Sequence, residues 1–287
     1  MISDALEING IRIHYEDGGT GRPIVALHGF GSSAQSWRRL RDCLPEFRIV
    51  APDLKGAGWS DRPRDGNYGV LEQARLMVGI VEALGLEAPI LLGHSFGGAV
   101  ALEVAACLQE HVRSAPAALV LINSIAFEQY IPPYMTLLRT RHVGEVFCRA
   151  LGWVFARRLR GRVPTAPKLP LHAETLPAIP HCLLLPGGAE AFLATARQML
   201  EYPVGERRCP SLTAPTLVLR GTRDPVVPAH VARMLVERTP DARLVCLQGC
   251  GHLPHEHQSG KTAAAIREFL SGLGIEPVTV RRSDAAG

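Results

Sequence analysis

The 287-residue sequence lacks any apolar run of the length that crosses a membrane. No segment reaches the ~18 uninterrupted apolar residues that a membrane-spanning helix requires, so we predict no membrane span. The first seven residues, MISDALE, contain neither a basic start nor an apolar core. We therefore expect no signal peptide and, by default, a cytoplasmic protein.

The sequence also lacks the cysteine spacing of a zinc site or a disulfide framework. Its seven cysteines are an odd number, and no two of them stand in a CxxC arrangement. This usage is typical of reduced thiols in a core, and we expect no metal and no cofactor. Basic runs interleaved with aromatic residues are missing too, which argues against a nucleic-acid-binding protein.

Positive charge is concentrated in one segment. The formal net charge is +4, and seven arginines lie between Leu137 and Arg162 with Glu145 as the only acid among them. Such a segment favours a solvated helical face. The alternative is a docking patch for an acidic substrate or carrier.

Apolar and polar residues alternate clearly only near the N-terminus, where Leu6–Ile8 and Ile11–Tyr15 flank Asn9-Gly10. This pattern predicts an antiparallel hairpin with a primed turn. Short apolar runs without alternation follow, which is typical of strands buried on both faces of a parallel sheet. They cover residues 24–27, 48–51, 90–92, 119–122, 216–219 and 244–247. Helical patterns separate most of them and predict an α/β layer fold; these cover residues 70–84, 97–108, 230–237 and 262–270.

The alternation stops between residues 126 and 210. This interval contains no clear buried strand, and prolines separate helix-like pieces at 144–159 and 190–202. We expect a helical insertion that lies over the sheet. The predicted organisation is an α/β core of residues 1–125 and 211–275, a helical cap of residues 126–210 and a disordered tail of residues 276–287.

A G-x-S-x-G motif, Gly93 to Gly97, follows one predicted strand and opens the next predicted helix. A sharp strand–turn–helix connection exposes the serine hydroxyl, and glycines let strand and helix approach each other closely. The N-terminus of the helix favours the negative charge that develops during attack on a carbonyl. Ser95 is therefore the predicted nucleophile. We expect Glu103, further along this helix, to be exposed.

With this motif in this context, the chain resembles the α/β-hydrolase superfamily over residues 6–270. Three further segments carry the resemblance: His28-Gly29-Phe30-Gly31 resembles an oxyanion loop, residues 53–63 resemble the segment after the next strand, and Gly251-His252 resembles a catalytic-histidine loop. The resemblance implies a mostly parallel, eight-stranded sheet flanked by helices, with a helical cap insertion.

A serine nucleophile needs a base, and His252 is the preferred one of the eleven histidines because neighbouring glycines let its loop project over the sheet edge. His255 and His257 follow closely and remain alternatives. Asp224, in a turn-rich segment after a predicted strand, is the expected acid. The order Ser95, Asp224, His252 is that of the resembling fold. Another position for the acid, directly after residue 122, is occupied by Asn123.

The resemblance implies that the backbone N–H groups of Phe30 and Phe96 form the oxyanion hole. Apolar residues beside the motifs are expected to line the substrate pocket, namely Trp59, Ile125, Phe127, Val226 and Leu253. A pocket of this composition suits a small or medium ester or acyl group.

The serine at position 95 predicts carbonyl chemistry, since the dehalogenases and epoxide hydrolases that resemble this chain use a carboxylate there. We expect a serine hydrolase that acts on a carboxylic ester, thioester or lactone through an acyl-enzyme, with a small-molecule acyl substrate. Two alternatives within serine chemistry stay open: a carbon–carbon bond hydrolase for diketone ring-cleavage products, and a perhydrolase or haloperoxidase-like enzyme. From another class, a non-catalytic small-molecule receptor or a cofactor-free oxygenase would share the fold.

Overall fold

An eight-stranded sheet organises the protein in a computed structural model, which describes residues 1–110, 115–129, 132–159 and 182–275. The strands are β1 (Ile2–Ile8), β2 (Ile11–Gly18), β3 (Pro23–Leu27), β4 (Arg48–Pro52), β5 (Ile90–His94), β6 (Ala118–Ile122), β7 (Thr216–Gly221) and β8 (Ala242–Leu247). Their order across the sheet is β1-β2-β4-β3-β5-β6-β7-β8. The pairs β1–β2 and β2–β4 are antiparallel and the others are parallel. The predicted mostly parallel sheet is confirmed.

The N-terminal hairpin forms as predicted. β1 and β2 pair in antiparallel register from Ile8 opposite Ile11 to Ile2 opposite Asp17. The two turn residues, Asn9 and Gly10, have φ values of 52° and 77°. Positive φ at both central residues is what a type I′ turn requires, and its twist matches that of the strands.

Helices cover both faces of the sheet, with bounds α1 (Arg38–Asp42), α2 (Val70–Ala83), α3 (Phe96–Glu110), α4 (Pro133–Arg139), α5 (Val143–Leu159), α6 (Gly188–Gln198), α7 (Val204–Arg208), α8 (Ala229–Arg238), α9 (Pro254–His257) and α10 (Ser259–Gly272). Strands β3, β5 and β6 contribute alternate side chains to two separate apolar clusters. One cluster contains α2 and α3, and the other contains α10. These strands are buried on both faces, as the absence of alternation predicted.

Strand β8 departs from that prediction. Its residues Arg243, Val245 and Cys246 are exposed, so the expectation of a strand covered on both faces is wrong here. β8 is the last strand of the sheet and pairs with β7 alone. An edge strand has only one neighbouring strand, so part of its surface stays exposed. The apolar run of β8 therefore did not indicate burial on both faces.

The chain between β6 and β7 is helical in its described parts, namely α4, α5, α6 and α7. Helix α4 packs against both α5 and α6. The predicted helix at 144–159 corresponds to α5, whereas α6 begins two residues before the predicted 190–202 segment and ends at Gln198. The predicted tail, residues 276–287, lies outside the described residues. In the part of the chain that the structure describes, no helix is both long and apolar enough to cross a membrane.

Glu103 corrects a second expectation, because it is buried rather than exposed. Its carboxylate accepts hydrogen bonds from the Arg208 guanidinium, at 2.7 Å from Nη2 and 2.9 Å from Nε. Arg208 is the last residue of α7, so this ion pair fastens the helical insertion to α3. Burial of a carboxylate is tolerated only with such a partner.

Candidate active site

Ser95 occupies the sharp turn between β5 and α3. Its φ of 51° is left-handed, which is strained for a residue other than glycine. The glycines of the motif explain how the turn closes. A Cβ added to Gly97 would lie 2.2 Å from the Leu27 carbonyl oxygen, and one added to Gly93 would lie 2.5 Å from the Gly97 carbonyl oxygen. Only glycine at these two positions lets β5 and α3 meet around the serine.

His252 and Asp224 are hydrogen-bonded neighbours. The His252 Nδ1 atom lies 3.0 Å and 3.1 Å from the two carboxylate oxygens of Asp224. The Asp224 side chain is fully buried. Its Oδ1 also accepts the backbone N–H groups of Val226 at 2.7 Å and Val227 at 3.2 Å. A proton on Nδ1 that donates to this carboxylate leaves Nε2 of the neutral ring as a proton acceptor.

The two alternative histidines lie elsewhere. His255 is fully buried, and its ring packs 4.5 Å from the ring centroids of both Trp37 and His94. Burial, with smaller contributions from nearby histidines, lowers the pKa of His255 to about 3. His257 is exposed on α9. Of the three histidines, His252 is the one that contacts the fully buried Asp224 carboxylate.

His94, directly before the serine, packs against the His252 loop. Its Nε2–H donates to the His252 carbonyl oxygen at 2.9 Å, and the two ring centroids are 4.7 Å apart. Burial, and then the charges of His255 and His252, lower the pKa of His94 well below its usual value. His94 is therefore a neutral hydrogen-bond donor that packs locally.

Two backbone N–H groups beside Ser95 are unused. Among the described residues, no acceptor takes the N–H of Phe30 or of Phe96. Phe96 opens α3, where the first N–H groups have no partner within the helix. Gly29 brings the Phe30 loop close to the elbow, since a Cβ there would lie 2.7 Å from His94 Nδ1 and 3.3 Å from Ser95 Cβ.

His28 holds this loop in place through both of its ring nitrogen atoms. Its Nε2 accepts the Leu54 backbone N–H at 3.0 Å, so Nδ1 carries the proton and donates to the Gly29 carbonyl oxygen at 2.8 Å. Burial lowers the pKa of His28. The ring is neutral and both of its nitrogen atoms are engaged, which leaves it no role in proton transfer.

The segment 53–63 holds the same loop in place through hydrogen bonds. The buried Asp53 carboxylate accepts the backbone N–H groups of Ala34 at 2.7 Å and Trp59 at 2.8 Å, and His14 Nδ1 lies 2.7 Å from it. Burial alone would raise the pKa of Asp53, but the hydrogen bond from His14 and the two backbone N–H groups hold it below its usual value. The buried Asp53 carboxylate thus connects three parts of the chain, which are those of His14, Ala34 and Trp59.

A small pocket lies beside the oxyanion loop. Side chains from the loop, from α2 and from the helical insertion line it, including Phe30, Phe96, Gln73, Cys182, Phe192 and Thr195. No sequence pattern pointed to Cys182, Phe192 or Thr195 as pocket residues. They lie 87 or more positions after the serine, and only packing brings them near it.

The predicted pocket residues separate into three groups. Ile125 and Phe127 are buried and line a second pocket, between the start of α3 and α7. Val226 packs against the main apolar cluster, and Leu253 is buried directly after His252. Trp59 stands apart, because 51% of its side chain is exposed and it lines neither of these two pockets.

The arginine-rich segment lies only partly within the described residues. Arg141, Arg149 and Arg157 are exposed, and the Arg157 guanidinium lies 4.1 Å from the centroid of the Trp153 ring. Glu145 pairs with Arg197 of α6 instead of an arginine of its own segment. Positions 158, 160 and 162 fall outside the side chains that the structure describes. The carrier-docking alternative stays a prediction. No cluster of potential metal ligands occurs among the described residues.

Comparisons with known proteins find hydrolases that share this fold. The chain is 28% identical over 273 residues to 2-hydroxymuconate semialdehyde hydrolase of Pseudomonas sp. (strain CF600), with 91% of each protein covered. A thermophilic esterase from Thermogutta terrifontis is 29% identical, with a TM-score of 0.74 over 95% of this chain and 99% of that one. The enol-lactonase of Burkholderia xenovorans LB400 shares the fold at 18% identity, with a TM-score of 0.73 over 93% and 100% of the two chains.

A family model described as alpha/beta hydrolase fold matches residues 22–258, which include Ser95, Asp224 and His252. Its match covers most of the chain, from the oxyanion-loop strand to the histidine loop. The chain belongs to the alpha/beta hydrolase fold family.

Proposed function

We propose that the protein is a serine hydrolase that cleaves a carboxylic ester, thioester or lactone through an acyl-enzyme on Ser95. One observation carries the proposal: His252 Nδ1 lies 3.0 Å from the fully buried Asp224 carboxylate, in the loop that follows the last strand. A carboxylate in this position sets the tautomer of the imidazole and stabilises its protonated form. The strained φ of Ser95 supports the same assignment, because strain of this kind clusters at active sites.

The proposed reaction has two halves. The Ser95 Oγ attacks the substrate carbonyl carbon while His252 Nε2 takes the hydroxyl proton, and Asp224 stabilises the imidazolium. The N–H groups of Phe30 and Phe96 donate to the oxyanion. His252 then returns the proton to the leaving alcohol or thiol as the carbonyl–heteroatom bond breaks. Water attacks the acyl-enzyme with the same base and donors, which releases the acid and restores Ser95.

A second candidate, hydrolysis of a carbon–carbon bond in a ring-cleavage product, has equal support from the relatives. The Pseudomonas relative is named for 2-hydroxymuconate semialdehyde, and its identity to this chain nearly equals that of the esterase. The same nucleophile, base and oxyanion donors would serve both reactions. The comparisons therefore do not distinguish hydrolysis of an ester, thioester or lactone from hydrolysis of a carbon–carbon bond. The residues that line the pocket bear on that distinction.

The pocket beside the oxyanion loop favours a neutral acyl group. Among the described residues that line it, Lys55 is the only lysine or arginine, and its side chain is fully buried. The Lys55 ammonium is already paired with Asp65 at 2.7 Å and Glu72 at 3.0 Å. A substrate of the muconate type carries a carboxylate, which would find no unpaired cation among these described residues.

The deciding experiment compares substrate classes on one preparation. Values of kcat/KM are measured for p-nitrophenyl esters from acetate to octanoate, for matched thioesters and lactones, and for 2-hydroxymuconate semialdehyde. We expect the neutral acyl substrates to be turned over faster and Ser95→Ala to lower their kcat by at least about 10³-fold. Turnover of the ring-cleavage product alone would establish the second candidate. Retention of activity by a folded Ser95→Ala variant would reject both.

A further inference from the structure

Asn123, at the end of β6, makes three hydrogen bonds that together join β7 to the loop of His252. Its Nδ2 donates to the carbonyl oxygens of Gly251 at 3.0 Å and His252 at 2.9 Å, and its Oδ1 accepts the Gly221 backbone N–H at 2.9 Å. Both amide hydrogens and the amide oxygen are therefore used. The three contacts also fix the orientation of the amide, because carbonyl oxygens only accept and an N–H only donates.

Hydrogen bonds of Asn123 and of its neighbour Ile122 connect the end of β6 to the segments that carry the three proposed catalytic residues. The neighbouring Ile122 carbonyl oxygen accepts the Ser95 backbone N–H at 3.0 Å, which ties the end of β6 to the elbow. Gly221 ends β7, three residues before Asp224. The third connection is the bond to the carbonyl oxygen of His252 itself.

We infer that Asn123 is a positioning residue for catalysis: its amide sets the loop of His252 at a fixed distance from Ser95 and from the strand that carries Asp224. The inference rests on the proposed serine-hydrolase function. Asn123 touches no reacting atom in the proposed mechanism and acts through His252. We call this set of three hydrogen bonds the Asn123 bridge.

The surroundings of the bridge leave it little freedom. Asn123 is 4% exposed, so water does not compete for its amide. The His252 carbonyl oxygen receives a second hydrogen bond, from His94 Nε2 at 2.9 Å. A Cβ on Gly221 would lie 2.3 Å from the Gly251 carbonyl oxygen, so strand and loop already meet at backbone distance. Loss of the amide leaves the buried His252 carbonyl and the partly buried Gly251 carbonyl with fewer donors, which costs most at the buried one.

Asparagine suits this position for two separate reasons. Its φ is 43°, in the left-handed region where asparagine and aspartate are enriched among non-glycine residues. Its amide also supplies two donors and one acceptor. Aspartate keeps the shape and the acceptor for Gly221 but would set a carboxylate against two carbonyl oxygens. Glycine keeps the backbone conformation and removes the side chain entirely.

These differences define the test. Asn123→Gly and Asn123→Asp are compared with Ser124→Ala, a buried neighbour whose hydroxyl donates only to the adjacent Ile125 carbonyl oxygen. Values of kcat and KM are measured on the best p-nitrophenyl ester, with the active fraction counted by fluorophosphonate labelling. We expect kcat per active site to fall about 10- to 100-fold in both Asn123 variants while KM changes less than about threefold. Ser124→Ala should keep the parental kcat.

A second readout does not depend on turnover. The His252 Nδ1–H proton, in its bond to Asp224, is followed by NMR of the ¹⁵N-histidine-labelled protein, with His252→Asn as the assignment control. We expect Asn123→Gly to broaden or shift this resonance and Ser124→Ala to leave it in place. Unchanged kcat together with an unchanged resonance in Asn123→Gly would overturn the inference.

The two readouts separate this inference from the proposed function. If the parental protein neither labels with fluorophosphonate nor cleaves any ester, the serine-hydrolase proposal fails, and the NMR comparison still decides whether Asn123 positions His252. If the parental protein is active but all three variants lose only stability and active fraction, Asn123 is a structural residue alone.

Discussion

The rings of Phe30 and Phe192 pack with their centroids 4.3 Å apart, so the oxyanion loop and helix α6 of the insertion touch at the proposed active site. Both residues line the same small pocket. The insertion therefore limits the space beside the two proposed oxyanion donors. A substrate acyl chain that extends past Phe30 would meet the Phe192 ring.

Phe192→Ala should shift the acyl-chain preference toward longer substrates. Removing the ring opens the pocket, and we expect the ratio of kcat/KM for the octanoate ester over the acetate ester to rise about tenfold. The free energy of unfolding should fall by about 3 kcal/mol because the side chain is buried. Phe155→Ala is the matched control, since Phe155 is equally buried in the insertion but absent from this pocket. Equal ratios in the two variants would contradict the prediction.

Asp224→Asn should lower kcat by about 10⁴-fold on an ester substrate without unfolding the protein. The amide has nearly the shape of the carboxylate, but it cannot stabilise an imidazolium and does not enforce the required His252 tautomer. Steady-state kinetics at pH 7 and circular dichroism provide the measurement. Asp241→Asn, at an exposed carboxylate, serves as the control. Loss of activity in the control alone would assign the acid elsewhere.

Buried neutral histidines should make the protein sensitive to acid. Burial lowers the pKa of His255 to about 3, whereas the unfolded chain takes up a proton near pH 6.5. The unfolded state thus binds more protons below pH 6.5, and the stabilisation is present above that pH and lost as pH falls toward 3. Each pH unit in this window costs about 1.4 kcal/mol for such a residue. Urea unfolding at pH 7 and pH 5 measures the loss.

His255→Phe tests which residue is responsible. Neither His255 ring nitrogen has a hydrogen-bond partner among the described residues, so a phenyl ring of similar shape gives up little at pH 7. We expect the difference in unfolding free energy between pH 7 and pH 5 to shrink by about 2 kcal/mol. His230→Gln, at an exposed position on α8, should leave that difference unchanged. An unchanged difference in His255→Phe would exclude His255 as the source.

The ion pair between the buried Glu103 carboxylate and the partly exposed Arg208 should stabilise the fold, and removing Arg208 alone should destabilise it. Arg208→Met leaves a buried carboxylate without its partner, and we expect the free energy of unfolding to fall by about 3 kcal/mol. The double variant Glu103→Gln with Arg208→Met should recover most of this loss, since a neutral amide costs less to bury. Urea denaturation of the four proteins in this cycle measures the coupling. Additive losses would contradict it.

Much of the fold could be predicted because turns and buried strands depend on residues that are neighbours in the sequence. Turn chemistry predicted the Asn9-Gly10 hairpin, and short apolar runs predicted the central strands. The same kind of signal, glycines placed between a strand and a helix, drew attention to Ser95. The sequence also paired His252 with Asp224, and the structure brings these two side chains within hydrogen-bond distance.

The failures have a common physical cause, which is that burial depends on partners distant in the sequence. Glu103 was expected to be exposed because it is the one charged residue of an otherwise small and apolar segment, 97–108, but the insertion supplies Arg208 as its partner. Phe192 and Thr195 reach the pocket through packing of α6, which no periodicity reveals. In the sequence, Asn123 was notable only because it occupies an alternative position for the catalytic acid. Its hydrogen bonds could not be predicted, since an amide between two loops has no sequence signature.

The Asp53 carboxylate has a consequence for how the native protein opens. His14 in β2, Ala34 before α1 and Trp59 all end on this one buried group. If the N-terminal hairpin separated from the sheet by itself, the buried Asp53 carboxylate would lose its hydrogen bond to His14. Water could not replace that bond. The hairpin and the oxyanion side of the core should therefore open as a single cooperative unit. Amide protons of Ala34 and Trp59 would then exchange with solvent at the same slow rate as those of β2, although both lie in connecting segments.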